Sequence, residues 1–278
     1  MQFFLDDTLK RAWGDRDVFD YLENLQGEVY RAREGRRTFR FRSGDRHYFC
    51  KLHTGIGWRE VIKNFSQGKM PVFGASNEWL AINRLQQLGI DTLHAVAFGK
   101  RGWNPARQKS FLVTEELTGT ISLEDVADGW QDAPPAPGDK RRLIEVVARI
   151  ARTMHGAGMN HRDFYLCHLL MAQSEADEGS SAARVEIPAD PRLYLVDLHR
   201  AQMRAKVPTR WRIKDLAGIY FSALDAGLTR NDRLRFLRSY FDAPLREVLR
   251  DHDRLLRRVA QRALRLYQRD FGRLPRHL

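Results

Sequence analysis

The stretch His161-Arg162-Asp163-Phe164-Tyr165-Leu166-Cys167-His168 is followed about thirty residues later by an apolar run, Leu193-Tyr194-Leu195-Val196, that ends in Asp197. An acid on a short loop and a second acid at the end of a strand are what a phosphoryl-transfer site needs. One takes the proton of a hydroxyl and the other holds Mg²⁺. Leu169-Leu170-Met171, directly after the first stretch, reads as the opening strand of a β-hairpin whose second strand runs into Asp197.

Upstream, the aromatic-rich run His47-Tyr48-Phe49-Cys50-Lys51-Leu52 is a strand that carries Lys51 within it. A lysine so placed is costly to bury unpaired, and Glu78, in the first turn of the next helix, is its natural partner. The alternative is a surface lysine that reaches out to water and a glutamate that only complements a helix dipole. Gly27-Glu28-Val29 matches only the tail of a glycine-rich phosphate loop, and one glycine marks any tight turn. At Phe111 to Gly119 a strand runs into a connector whose main chain can meet an adenine edge or simply end a sheet.

Around these residues the pattern is that of a small sheet with one helix, then a mostly helical half. Residues 15–26 read as an amphipathic helix through Val18, Tyr21, Leu22 and Leu25. Strands are expected at 28–32, 38–42 and 47–52, forming a meander across turns at 33–36 and 43–45. A helix capped by Ser76 or Asn77 and stopped by Gly89 follows, then strands near 93–98 and 110–115. Pro134, Pro135, Pro137 and Gly138 place a loop over 131–139, ahead of a long helix from Lys140 to Gly156. An acidic insert rich in Ser, Ala and Gly spans 173–189.

The bulk properties exclude several classes. With 278 residues, 43% hydrophobic and 29% charged, the chain buries a substantial core, and no apolar run reaches the roughly 20 residues of a membrane span. Its first residues lack the pattern of an export signal, so a soluble cytosolic protein is expected. Cys50 and Cys167 form neither a metal-spacing motif nor a disulfide framework. The net charge is +12, and residues 229–278 hold 14 arginines against 6 acids, a net +8. That segment coats helices whose inward positions are Leu234, Leu237, Phe241, Leu245, Val248, Leu249, Leu255, Leu256 and Val259, or else attracts a polyanion. No zinc-finger or RNA-binding signature accompanies the charge, so nucleic acid is not expected as a partner.

Taken together, His161-Arg162-Asp163, four residues, a polar side chain, a strand pair and Asp197 resemble the eukaryotic-type protein-kinase fold. Phe164 to His168 and the Asp197-Leu198-His199 ending resemble the bacterial lipopolysaccharide core heptose kinases, and the likeness extends over nearly the whole chain. It implies an α+β, bilobal kinase-like fold, with residues 1–117 as a β-rich N-lobe and 118–278 as a helical C-lobe. It also implies Asp163 as base, Asp197 as Mg²⁺ ligand, Lys51 on the ATP phosphates with Glu78 as its ion-pair partner, Gly27 near them, and Glu115 and Leu117 at the adenine through main-chain atoms. The acceptor implied is the first heptose of the inner core on lipid A, met by a cytoplasmic enzyme peripheral to the inner membrane. The Arg-rich C-terminus would then dock on an anionic membrane surface or an acidic partner.

Two departures from protein kinases stand out. His168 occupies the place of a metal-binding Asn, although imidazole is a poor ligand for Mg²⁺. Between Leu198 and Lys214 there is no Ala-Pro-Glu signature, and the helix from Lys214 arrives too soon for a long acceptor loop, with Asp215 able to tie back to the catalytic-loop backbone. This favours a glycan acceptor over a protein kinase acting on tyrosine. A non-catalytic module that binds an acidic partner is a further alternative, opposed by the joint presence of Lys51, Glu78, Asp163 and Asp197.

Overall fold

The structure is a computed structural model that describes residues 2–33, 35–55, 74–104, 107–173 and 185–275. The acidic residues 174–178 of the insert lie outside the described residues, as does Glu34 of the expected turn. The chain divides into two compact units. The first comprises residues 1–84, 93–118 and 198–200, and the second comprises 85–92, 119–197 and 201–278.

The first unit is built on a six-stranded antiparallel sheet. Its strands are β1 (Gln2–Leu5), β2 (Glu28–Arg33), β3 (Arg36–Ser43), β4 (Arg46–His53), β5 (Ala95–Arg101) and β6 (Lys109–Glu115), in the order β1-β5-β6-β4-β3-β2. The meander of β2, β3 and β4 follows from alternating apolar residues on short turns; β3 and β4 pair from Arg36↔His53 to Ser43↔Arg46. Sequence periodicity does not find β1, because Phe3-Phe4-Leu5 does not alternate. The strand forms by pairing with β5, Phe4 opposite Phe98.

Two short helices cover one face of this sheet, α1 (Asp7–Trp13) and α2 (Val18–Asn24). The helix expected over 15–26 is shorter than its pattern, since Asp17 caps it by accepting from the Phe19 and Asp20 N–H groups and Leu25 already has extended backbone. Leu9, Trp13, Phe19 and Leu22 pack with Phe39, Phe41, Tyr48, Phe111 and Val113 into one core. Helix α3 (Ser76–Gln87) starts at the expected residue and leads to Gly89, whose φ of 68° suits a residue without a side chain.

The second unit is mainly helical. It contains α4 (Leu123–Ala127), α5 (Pro137–Gly156), α6 (Thr209–Ser222), α7 (Arg230–Phe241), α8 (Leu245–Asp251) and α9 (Asp253–Phe271). Helix α5 begins three residues before the expected Lys140, because Pro137 is accommodated at a first helical position that needs no N–H donor. Leu143, Val147, Ile150 and Met154 along it are buried as the periodicity predicts. Strand β7 (Thr120–Ser122) joins the hairpin of β9 (Leu169–Ala172) and β10 (Leu193–Leu195), while β8 (Met159–Asn160) pairs with β11 (Gln202–Met203).

Of the inward positions expected in the C-terminal helices, Val248 and Val259 are buried, whereas Leu249 is 43% exposed and lies on the wall of an open cavity. Both cysteines are free thiols. Among the described residues no helix is long and apolar enough to cross a membrane.

Candidate active site

In the first unit, Lys51 Nζ of β4 lies 2.5 Å from Glu78 Oε1 of α3. Glu78 is nearly buried and Lys51 is 20% exposed at its side chain, so the ammonium end stays reachable by a ligand while its acid partner is fixed. Gly27 stands just before β2, where a Cβ would fall 2.4 Å from the Arg40 carbonyl oxygen; that close approach requires glycine. Glu115 ends β6 with its carboxylate held by Arg46 at 2.6 Å and His94 at 2.9 Å. Its N–H is taken by the His94 carbonyl and that of Glu116 by the His47 carbonyl. Among the described residues nothing hydrogen-bonds the Leu117 main chain.

In the second unit, the loop from His161 to His168 is held from several sides. Asp215 of α6 is fully buried, and its two carboxylate oxygens accept the His161 and Arg162 N–H groups, each at 2.7 Å. His155 of α5 adds a bond from Nε2 to the same carboxylate at 3.2 Å. A carboxylate oxygen accepts, so His155 donates from Nε2, while Nδ1 lies 2.8 Å from the Tyr240 hydroxyl. Burial pushes the Tyr240 phenol up, so it keeps its proton, and Arg212 Nε donates to its oxygen at 3.1 Å.

The two candidate acids are tied together through histidine. His161 Nε2 donates to the Val196 carbonyl at 2.9 Å, one residue before Asp197, and its Nδ1 accepts from the Asp163 N–H at 3.3 Å. Burial pushes the His161 imidazole below its usual range, which keeps Nδ1 an acceptor. The Val196 N–H in turn donates to the His168 carbonyl at 3.0 Å.

His168 Nδ1 donates to the Asp163 carbonyl at 2.7 Å and its Nε2 lies 3.5 Å from Asp197 Oδ2. The Cys167 sulfur beside it, then the Asp163 carbonyl and the Asp197 carboxylate, outweigh burial and push this imidazole up to about 9. With Nδ1 bonded to the Asp163 carbonyl, the Nε2 of His168 is turned to the Asp197 carboxylate, and imidazole is a poor ligand for the hard Mg²⁺. Asp197 is an oxygen donor of the kind Mg²⁺ prefers, and one carboxylate together with phosphate oxygens and water suffices for that ion. Among the described residues no three His, Cys, Asp or Glu side chains form a ready-made metal cage.

Backbone strain collects at the same place. Arg162 has φ of 78° and Asp197 has φ of 59°, values that only a well-braced segment maintains in a residue with a side chain. The bracing by α6 extends past Asp215. A methyl group at Gly218 would fall 2.7 Å from the Phe164 carbonyl oxygen, and the Ser222 hydroxyl accepts the Leu166 N–H at 3.0 Å. Lys214, one residue before Asp215, brings Nζ to 3.4 Å from Asp163 Oδ1.

Of the residues singled out in the sequence, Lys51 and Glu78 meet in the first unit, and Asp163, His168, Asp197 and Asp215 share one network in the second, to which His155, Tyr240, Ser222 and Lys214 are added by the structure. Spacing along α6 carries a usable signal: Asp215, Gly218 and Ser222 stand at i, i+3 and i+7, one helical face. His155 and Tyr240 give none, because each sits in a helix whose pattern is explained by core packing alone.

This sheet unit with its lysine–glutamate pair, and this helical unit with its braced acid and strained aspartate, define a protein-kinase-like phosphotransferase. The family model described as lipopolysaccharide kinase (Kdo/WaaP) matches residues 20–240. A Pseudomonas aeruginosa protein named lipopolysaccharide core heptose(I) kinase WaaP is 52% identical over 269 residues, covering 97% of each chain. An Escherichia coli protein of the same name is 44% identical over 265 residues, 95% of this chain and 97% of that one. A solved structure described as WaaP in complex with acyl carrier protein aligns with TM-score 0.80 and 49% identity, over 96% of this chain and all of that chain. The chain belongs to the Kdo/WaaP family of lipopolysaccharide kinases.

The ion pair in the first unit makes a testable case. Glu78→Gln keeps the size of the side chain but leaves the Lys51 ammonium without a counter-charge. The expected loss is about 1–3 kcal/mol of stability in urea unfolding, together with weaker nucleotide binding. An unchanged unfolding midpoint and unchanged ADP affinity would show that the pair contributes neither.

Proposed function

We propose that this protein is an ATP-dependent kinase of the first heptose of the lipopolysaccharide inner core. The observation that carries the reading is identity of 52% over nearly the full length to a heptose(I) kinase. Asp163, Asp197, Lys51 and Glu78 supply the chemistry that such a reaction requires. The absence of an Ala-Pro-Glu signature after Asp197 favours a sugar over a peptide acceptor.

In the proposed reaction a heptose hydroxyl attacks the γ-phosphorus of ATP, the bond from that phosphorus to the β,γ-bridging oxygen breaks, and ADP departs with the electron pair. Asp163 aims the hydroxyl and takes its proton. The Asp163 main chain is locked at its N–H by His161 and at its carbonyl by His168, so its carboxylate is presented with little freedom. Lys51, oriented by Glu78, contacts the nucleotide phosphates. Asp197, oriented by His168, would hold Mg²⁺, which when bound supplies charge neutralisation at the phosphates. The Leu117 and Glu115 main chain would meet the adenine, and Gly27 would let the chain pass close to the phosphates. We place the role of His168 in positioning Asp197, not in ligating metal.

Asp163→Asn removes the proton acceptor and little else. Phosphate transfer from ATP to heptosylated lipid A core is expected to fall by about 10²–10⁴-fold, with ADP affinity retained, and EDTA should abolish the wild-type reaction. Mass spectrometry of the core product is the readout. Transfer by the variant at the wild-type rate would remove Asp163 from the mechanism.

For partners, a solved relative carries an acyl carrier protein. Helix α9 exposes Arg254, Arg257 and Arg258; Arg257 is bonded to Asp253, and among the described residues no acid pairs with Arg254 or Arg258. The same unit contains a cavity of about 440 Å³ walled by Leu123, Ile144, Val147, Leu216, Ile219 and Leu256. An apolar hollow of this size suits an acyl chain, and an arginine surface suits an acidic carrier. The anionic leaflet bearing the acceptor is a second surface for the same arginines, which fits a peripheral enzyme at the inner membrane. Charge reversal at Arg254, Arg257 and Arg258 together is expected to weaken binding of acyl carrier protein and of anionic vesicles by at least about tenfold at low salt. Undiminished binding of both would remove this face as a docking surface.

A further inference from the structure

Transfer of a phosphoryl group builds charge on its three outer oxygens, and a kinase site places a cation there. Past the base the loop offers none from Lys or Arg, since Asp163 is followed by Phe164, Tyr165, Leu166, Cys167 and His168, and the guanidinium of Arg162 just before it lies over the Trp211 ring, 4.8 Å from its centroid. His168 turns its two ring nitrogens to the Asp163 carbonyl and to Asp197.

A different element supplies the missing charge. Lys214 Nζ stands 3.4 Å from Asp163 Oδ1, with the two side chains 16% and 13% exposed. Its position is set by the most constrained part of the unit, because the next residue is Asp215, and Gly218 one turn on touches the loop backbone. The main chain of Lys214 is therefore fixed relative to the loop, while its four-carbon stem lets the ammonium move over the base. A base accepts from its hydroxyl at about 2.6–3.2 Å, and the attacking oxygen approaches phosphorus at about 3–3.5 Å. The outer phosphoryl oxygens then lie only a few ångströms from Asp163, within the sweep of a flexible lysine already at its carboxylate.

We propose that Lys214 is a catalytic residue that binds the transferring phosphoryl group and carries its developing negative charge. This rests on the kinase reading above. In the resting enzyme the ammonium sits on Asp163 and keeps the carboxylate aimed. When hydroxyl and ATP are bound it bridges from that carboxylate to a γ-phosphoryl oxygen. It gives up no proton: the hydroxyl proton goes to Asp163, and the electron pair of the breaking P–O bond leaves with ADP.

The test compares the full-length wild type with Lys214→Gln and Lys214→Arg. Steady-state phosphotransfer gives kcat and KM for ATP, and calorimetry gives ADP affinity with and without aluminium fluoride, a mimic of the transferring group, in Mg²⁺. In Lys214→Gln, kcat should fall by about 10²–10³-fold with KM for ATP within about threefold. ADP affinity should be unchanged, and the tightening that aluminium fluoride confers on the wild type should be lost. Lys214→Arg should recover part of both.

A wild-type kcat in Lys214→Gln, or a full aluminium fluoride effect in it, overturns the proposal. The second result would mean that Lys214 only positions Asp163. If Lys214→Gln loses ADP binding outright, Lys214→Arg decides: retained tightening supports the assignment and lost tightening overturns it. A wild type that transfers no phosphate to heptose would instead fail the kinase reading itself.

Discussion

One buried carboxylate organises the helical unit of this protein. Asp215 is out of contact with water, a placement that costs several kcal/mol for an ion unless its oxygens are satisfied. They are satisfied by the two consecutive N–H groups of His161 and Arg162 and by His155. Arg162 adopts a positive φ that a free chain avoids, and the paired bonds hold it there. The next residue is the proposed base. Its direction is therefore a consequence of where α6 lies, and α6 is packed in the core of its unit through Ile213, Leu216, Ala217 and Ile219.

The same economy extends to the second acid. His161 reaches from the loop to the Val196 carbonyl, and His168 returns a carbonyl to the Val196 N–H and its Nε2 to Asp197. Base and proposed metal ligand are thus parts of one hydrogen-bonded assembly and not two independently placed side chains. In the first unit the constraint is of another kind: a sheet position and a helix turn bring Lys51 to Glu78, and the pair is supported by an aromatic core that contains no catalytic group.

Much of this was legible in the sequence, for identifiable reasons. Lys51 lies in a strand bounded by turns, Glu78 follows a capping residue, and Asp163 and Asp197 flank a short hairpin, so local patterns place all four. The link from Asp215 to the loop could be read because the helix begins so soon after Asp197. What was hidden depends on pairing between distant segments. Strand β1 exists only because β5 accepts it, and α1 is too short for its periodicity to stand out. His155 and Tyr240 meet across 85 positions, with apolar neighbours that mask any polar role. A lysine on a helix is ordinarily a solvated one, and only the distance to Asp163 singles out Lys214.

Asp215 holds the loop in its shape through the His161 and Arg162 N–H groups. Amide hydrogen exchange in Asp215→Asn tests it most directly, because an amide side chain cannot accept both loop N–H bonds. Exchange at His161 and Arg162 should accelerate by at least about 30-fold, the ratio that corresponds to losing roughly 2 kcal/mol of local protection, while the β4 and β6 amides of the first unit stay as in the wild type. Exchange at His161 and Arg162 at the wild-type rate in that variant would contradict the account.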